Sequence, residues 1–158
     1  GGRLEPTPIT GQLPLAAANL VLILLLGGPL GEEFGWRGYA LPALQTRCGW
    51  RVSSLILGAA WGLWHLPLFF TADTLQGRIP LLPFLLSSVA LSVVFAWLFN
   101  RSRGSVLPAL VLHTAVNWWA WVVPGLPVAA NLQQFALLLG LLVLLAVGLL
   151  AGPTVGKK

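Results

Sequence analysis

Residues 13–38 read LPLAAANLVLILLLGGPLGEEFGWRG. The stretch begins as an apolar run and ends with Glu32, Glu33 and Arg37 inside six residues. A helix needs about 20 mainly apolar residues to cross a bilayer, at ~1.5 Å of rise each. The stretch therefore predicts a membrane helix from about Leu13 to the region of Gly31, continuing towards Gln45. Carboxylates and an arginine in such a helix are costly to bury. They mark function or pair with one another. Glu33 and Arg37 are four apart, so they share a helix face and are expected to form an ion pair. Glu32 projects about 100° away on the same turn and is free to face another partner. A buried structural ion pair with no chemistry is the competing reading.

The rest of the chain agrees that the solvent is lipid. Of 158 residues, 57% are hydrophobic and 8% charged, where a soluble domain carries about 25% charged residues. Mean hydropathy is +0.86. These figures exclude an ordinary soluble domain and a disordered chain. The net charge of +5 comes from 9 Lys and Arg against 4 Asp and Glu. No basic cluster exceeds a pair, so a nucleic-acid partner is excluded and membrane topology is the better reading. Four more apolar stretches follow the first: Val52 to Phe70, Ile79 to Phe99, Val106 to Val123, and about Asn131 to Leu150. Cys48-Gly49, the segment from Thr71 to Gly77, Ser102 to Ser105, and Pro124 to Pro127 break the helices.

The expected fold is an all-α, polytopic transmembrane bundle of about five spans. Residues 1–12 form an extramembrane lead-in, 13–152 the embedded domain and 153–158 a tail. With five alternating spans, Arg47, Arg51, Arg101, Arg103, Lys157 and Lys158 fall on one side. Arg3 and Arg78 fall on the other, with Glu5 and Asp73. Six against two places the C-terminus in the cytoplasm of a multi-pass cell-membrane protein. Trp36, Trp50, Trp97, Trp118, Trp119 and Trp121 are expected as interfacial anchors. No methionine is present, even at position 1, so a processed or partial chain is expected. One cysteine, Cys48, excludes an intrachain disulfide.

Two histidines complete the polar set. His65 lies within the second stretch and His113 within the fourth, and Asn117 follows His113 by one helical turn. An imidazole in hydrocarbon needs hydrogen-bond partners, although a lone one is more often a packing residue than a catalyst. Glu32 is 15 residues before Arg47 and His65 is 14 after Arg51. An antiparallel hairpin turning at Cys48-Gly49-Trp50 would set both about 21–22 Å from the turn. His113, ten residues after Arg103, would rise about 15 Å from the same side. A carboxylate with a histidine can deprotonate water. A second histidine with an asparagine can hold an oxyanion. Alternatively, Glu32, His65 and His113 are a ligand set for zinc with one open position. Both readings predict amide hydrolysis. A channel or transporter with a Glu–Arg–His relay is weakened by the lack of an internal repeat.

Glu32-Glu33-x-x-x-Arg37, Trp61-x-x-x-His65 and His113-x-x-x-Asn117 resemble the three motifs of the CAAX protease and bacteriocin-processing family (also called Abi) of intramembrane proteases. The resemblance runs from about Pro29 to Trp119. It implies a glutamate-dependent endopeptidase acting at the lipid bilayer on a peptide or lipid-anchored protein. Glu32 and His65 would activate water. His113 and Asn117 would form the oxyanion hole, with Glu33, Arg37 and Trp61 in support. The family is often labelled metalloprotease, yet a metal-free mechanism is equally compatible with these residues. The family usually carries Phe where this chain has Trp61, so a packing role is expected there. Members commonly have further helices before the Glu-Glu motif. The alternative is a non-catalytic member acting in bacteriocin self-immunity or as a membrane scaffold.

Overall fold

A computed structural model of the chain describes residues 13–72, 74, 76–122 and 132–153. The described residues form helices and connecting turns, with no strand among them. They run α1 (Leu13–Leu26), α2 (Pro29–Glu33), a π-helical segment (Phe34–Ala40), α3 (Leu41–Trp64), α4 (Leu81–Arg101), α5 (Leu107–Val122) and α6 (Leu132–Ala151). Short 3-10 turns at Leu66–Phe70 and Gln76–Arg78 join α3 to α4. This is an all-α membrane protein. Pro29–Phe70 and Leu81–Arg101 are each long and apolar enough to cross a bilayer. Segments 1–12 and 154–158, Asp73 and the Pro124–Pro127 break lie outside the described residues, and so do the expectations placed on them.

The first apolar stretch is not one helix. It breaks at Gly27-Gly28, where Gly28 has φ +100°, a region that side chains other than glycine rarely adopt. Pro29 then starts α2 as a helix-initiating proline. The π-segment precedes Pro42, which has no N–H for the Gly38 carbonyl and whose ring would press on it. The turn widens instead, and the Leu41 N–H reaches the Trp36 carbonyl five residues back.

The expected hairpin is present. Within α3, Gly49 has φ +67° and ψ 169°, which interrupts the helix. The Trp61 indole N–H reaches a Glu32 carboxylate oxygen at 2.6 Å across 29 residues of sequence. A straight helix would separate them by about 43 Å, so the chain doubles back at Gly49. Past the turn, α3 packs antiparallel on α4. Gly58 faces Val89 and Ser92, and Gly62 faces Leu85 and Ser88. Gly58-x-x-x-Gly62 is thus a small-residue face pressed on Ser88-x-x-x-Ser92, the device by which membrane helices approach closely. The Ser87 and Ser88 hydroxyls donate to the Phe84 carbonyl of their own helix, so they carry no unmet hydrogen bond into the bundle.

One apolar cluster sits around the hairpin turn. It contains Leu41, Trp50, Leu57, Val93, Phe99 and Ala146, with Leu149 and Leu150 against it. Trp50 is 7% exposed, so it is a core residue and not an interfacial anchor. The Arg51 guanidinium donates to the carbonyls of Leu150 at 2.7 Å and Gly152 at 2.6 Å. It thereby caps the C-terminus of α6 and opposes the negative end of that helix. Helix α4 closes with Arg103 at φ +60° and the Gly104 N–H on the Phe99 carbonyl at 2.8 Å, a Schellman closure. The hairpin turn, the α4–α5 turn and the end of α6 therefore share one end of the bundle, with Arg47, Arg51, Arg101 and Arg103. Helix α1 lies on α5, where the Trp118 indole N–H donates to the Ala16 carbonyl at 2.9 Å.

Candidate active site

The polar residues gather between α2, α3 and α5, around the ring of Trp61. Glu33 and Arg37 are both fully buried, and the Arg37 guanidinium donates to Glu33 Oε1 at 2.8 Å. The wider π turn does not part them. The same oxygen lies 2.8 Å from His113 Nδ1. A carboxylate held by a guanidinium is an acceptor, so His113 Nδ1 is the donor. Glu33 therefore joins α2 to α5, a link that the residue spacing did not reveal. The Arg37 guanidinium stacks on two rings, 4.9 Å from the Trp61 centroid and 4.5 Å from that of Phe95. Those cation–π contacts spread its charge over apolar surface.

Glu32 points elsewhere, as its position on the turn requires. Its Oε2 accepts the Trp61 indole N–H. Its Oε1 lies 2.6 Å from the place a Cβ on Gly28 would take. The carboxylate thus occupies space that the glycine leaves empty.

His65 is not deep within its helix. It is the C-cap of α3, immediately before the 3-10 turn. Its Nδ1 lies 2.8 Å from the Trp61 carbonyl. A carbonyl only accepts, so Nδ1 carries the proton and Nε2 keeps a free lone pair in the neutral ring. The ring meets Trp61 edge-on at 5.7 Å and Phe84 at 5.5 Å. His113 meets Trp61 edge-on at 5.3 Å and Phe95 at 5.9 Å. Trp61 is therefore the hub. It touches Glu32 by hydrogen bond, and both imidazoles and Arg37 by its ring. The tryptophan was expected only to pack, and its N–H is the signal that reading missed. Asn117, one turn beyond His113 on α5, is half-buried.

Among the described residues, no three His, Cys, Asp or Glu side chains are grouped to hold an ion. Of the set Glu32, His65 and His113, Glu32 Oε2 accepts from Trp61 and His113 Nδ1 donates to Glu33.

A family model described as type II CAAX prenyl endopeptidase, Rce1-like, matches residues 14–119. Over 124 residues the chain is 36% identical to CAAX prenyl protease 2 of Methanococcus maripaludis. The match covers 74% of this chain and 46% of that protein, so the chain spans less than half the length of that relative.

Proposed function

The chain belongs to the type II CAAX prenyl endopeptidase, Rce1-like, family, and from that premise we propose that it is an intramembrane endopeptidase using Glu32 and His65 to activate water. The observation that carries this reading is the gathering of Glu32, His65 and His113 around the Trp61 ring.

The mechanism runs through this chain's own groups. Water between Glu32 and the free Nε2 of His65 gives up a proton to that pair as its oxygen adds to the scissile carbonyl. The carbonyl becomes an oxyanion. Asn117 donates to it through its amide, and His113 through Nε2–H. With Nδ1 bonded to Glu33, His113 must carry both protons to donate in this way, and the Glu33 carboxylate is the counter-charge for that form. Arg37 holds Glu33 in place. The proton taken from water passes to the leaving amine, and the C–N bond breaks. The products are a shortened chain ending in a carboxylate and a released peptide amine. No step requires a metal. The substrate class is a membrane-held peptide, and a prenylated CAAX tail is the form that the family description suggests.

The bundle is read as multi-pass, with the end bearing Arg47, Arg51, Arg101 and Arg103 in the cytoplasm together with the C-terminus. The gathering of those four arginines at one end supports this orientation.

The test is cleavage of a fluorogenic farnesylated CAAX peptide by the protein in proteoliposomes. Glu32→Ala and His65→Ala should each abolish cleavage while leaving the protein folded in the membrane. Cleavage at the wild-type rate by Glu32→Ala would sink the reading.

A further inference from the structure

Trp61 is in contact with both halves of the proposed water-activating pair by two different atoms. Its indole N–H donates to Glu32 Oε2 at 2.6 Å. Its backbone carbonyl accepts from His65 Nδ1 at 2.8 Å. We propose that Trp61 is the positioning residue of this site, fixing the Glu32 carboxylate through the indole N–H and the His65 tautomer through the carbonyl. The inference rests on the reading of Glu32 and His65 as the water-activating pair.

Three features separate this role from simple packing. The first is rigidity. The indole is 5% exposed, and its ring is wedged among Phe95, His113, His65 and the Arg37 guanidinium. The N–H therefore has one direction available, and a donor locked by its surroundings orients what it binds. The second is the other carboxylate oxygen. Glu32 Oε1 lies against Gly28, whose positive φ excludes a side chain there. One oxygen is tethered and the other sits in a space kept clear, so the carboxylate plane is set on both sides. The third is the division of labour. Phe95, His113 and Arg37 require only a flat ring, which phenylalanine could supply. Glu32 requires a donor, which phenylalanine lacks.

A hydrogen bond to a charged group contributes enough that its loss from a reacting geometry lowers a rate about ten- to a hundredfold. Trp61 is buried beneath the pair, so substrate binding should not feel the change. The experiment compares Trp61→Phe and replacement of Trp61 by 3-benzothienylalanine, which has sulfur in place of the N–H and nearly the same shape. Both are assayed in the full chain in proteoliposomes with the farnesylated peptide. The expected result is kcat reduced about ten- to a hundredfold with KM within about twofold. A purely structural ring would leave kcat of the benzothienyl protein at the wild-type value, and that result overturns the proposal.

A second readout needs no turnover. The Trp61 indole N–H resonance, assigned by its loss in Trp61→Phe, should move upfield in Glu32→Ala. An unmoved resonance shows that no such bond exists and also overturns the proposal. The outcomes separate the two claims. Retained cleavage by Glu32→Ala removes the functional reading and this inference with it. An inactive Glu32→Ala beside a fully active benzothienyl protein removes this inference alone.

Discussion

Replacing glycine by alanine should change stability in opposite directions at Gly58 and at Gly148, because of what each position faces. At Gly58 an added Cβ would lie 2.6 Å from the Val89 Cα and 2.9 Å from the Ser92 Cβ, where ordinary contact begins near 3.4 Å. The near atom is backbone and cannot rotate away. Helices α3 and α4 must therefore part by about 0.8 Å, the gap between 2.6 and 3.4 Å. A gap of 0.5–1 Å forfeits roughly a quarter to a half of each dispersion contact along the interface. Overpacking of this kind costs about 1–3 kcal/mol. A chain of this length shifts in Tm by about 2–4 °C for each kcal/mol, so Gly58→Ala should melt roughly 2–12 °C below wild type. At Gly148, on an exposed face of α6, nothing lies within 4 Å of an added Cβ. Gly148→Ala meets no obstacle and gains helix propensity, raising stability by up to about 1 kcal/mol. The assay is reversible unfolding in mixed micelles followed by tryptophan fluorescence, with both variants prepared alongside wild type. If Gly58→Ala is as stable as wild type, α3 and α4 do not meet across the Gly58–Gly62 face and the packing argument fails.

The remaining predictions concern polar contacts. Arg37→Met leaves the buried Glu33 without its guanidinium and should cost about 3–5 kcal/mol. The double variant Glu33→Gln/Arg37→Met should cost less than the sum of the single ones, with a coupling of about 0.5–3 kcal/mol in the same unfolding assay. Strict additivity would mean that the pair is not coupled. Gly28→Ala forces an unfavourable φ at a cost of about 1–2 kcal/mol and drives a methyl at the Glu32 carboxylate. Peptide cleavage should fall at least about tenfold, and a wild-type rate would show that the carboxylate does not use that space. Arg51→Met removes the cap from α6 and should destabilise the protein by about 1–2 kcal/mol, with amide exchange rising first at Leu149–Ala151. Unchanged exchange there would refute the cap.

Much of the bundle could be read along the chain because lipid imposes one rule on every residue. Apolar runs near the length of a bilayer must be helices, and prolines and glycines divide them. That reading located α4, α5 and α6 to within two residues at each described end. It also found the hairpin, since Gly49 sits between two apolar limbs. The Glu33–Arg37 pair was legible because both residues lie on one helix, where four residues of spacing is a distance. The Gly27-Gly28 break was missed because apolar composition continues through it. A glycine in a helix and a glycine at positive φ look alike in sequence.

The site divides along the same line. Glu32, His65 and His113 stood out because they are expensive in hydrocarbon, and cost can be read from residue type alone. Their partners could not be read so directly. The Glu33–His113 bond joins residues 80 apart, and the Trp61–Glu32 bond joins residues 29 apart. A tryptophan in an apolar helix gives no sign that its N–H meets a carboxylate. The Arg51 bonds to Leu150 and Gly152 were likewise hidden, because an arginine at a helix turn counts equally well as a topology signal.

The sequence by itself determined that this is a membrane-embedded helical protein with a few conspicuous polar groups, because the burial cost of each group is a local property. Only the tertiary structure decided which groups meet. It put Trp61 at the centre, joined Glu33 to His113 and left Glu32 to the tryptophan, because a hydrogen bond depends on ångströms and angles set by helices that pack on one another from distant parts of the chain.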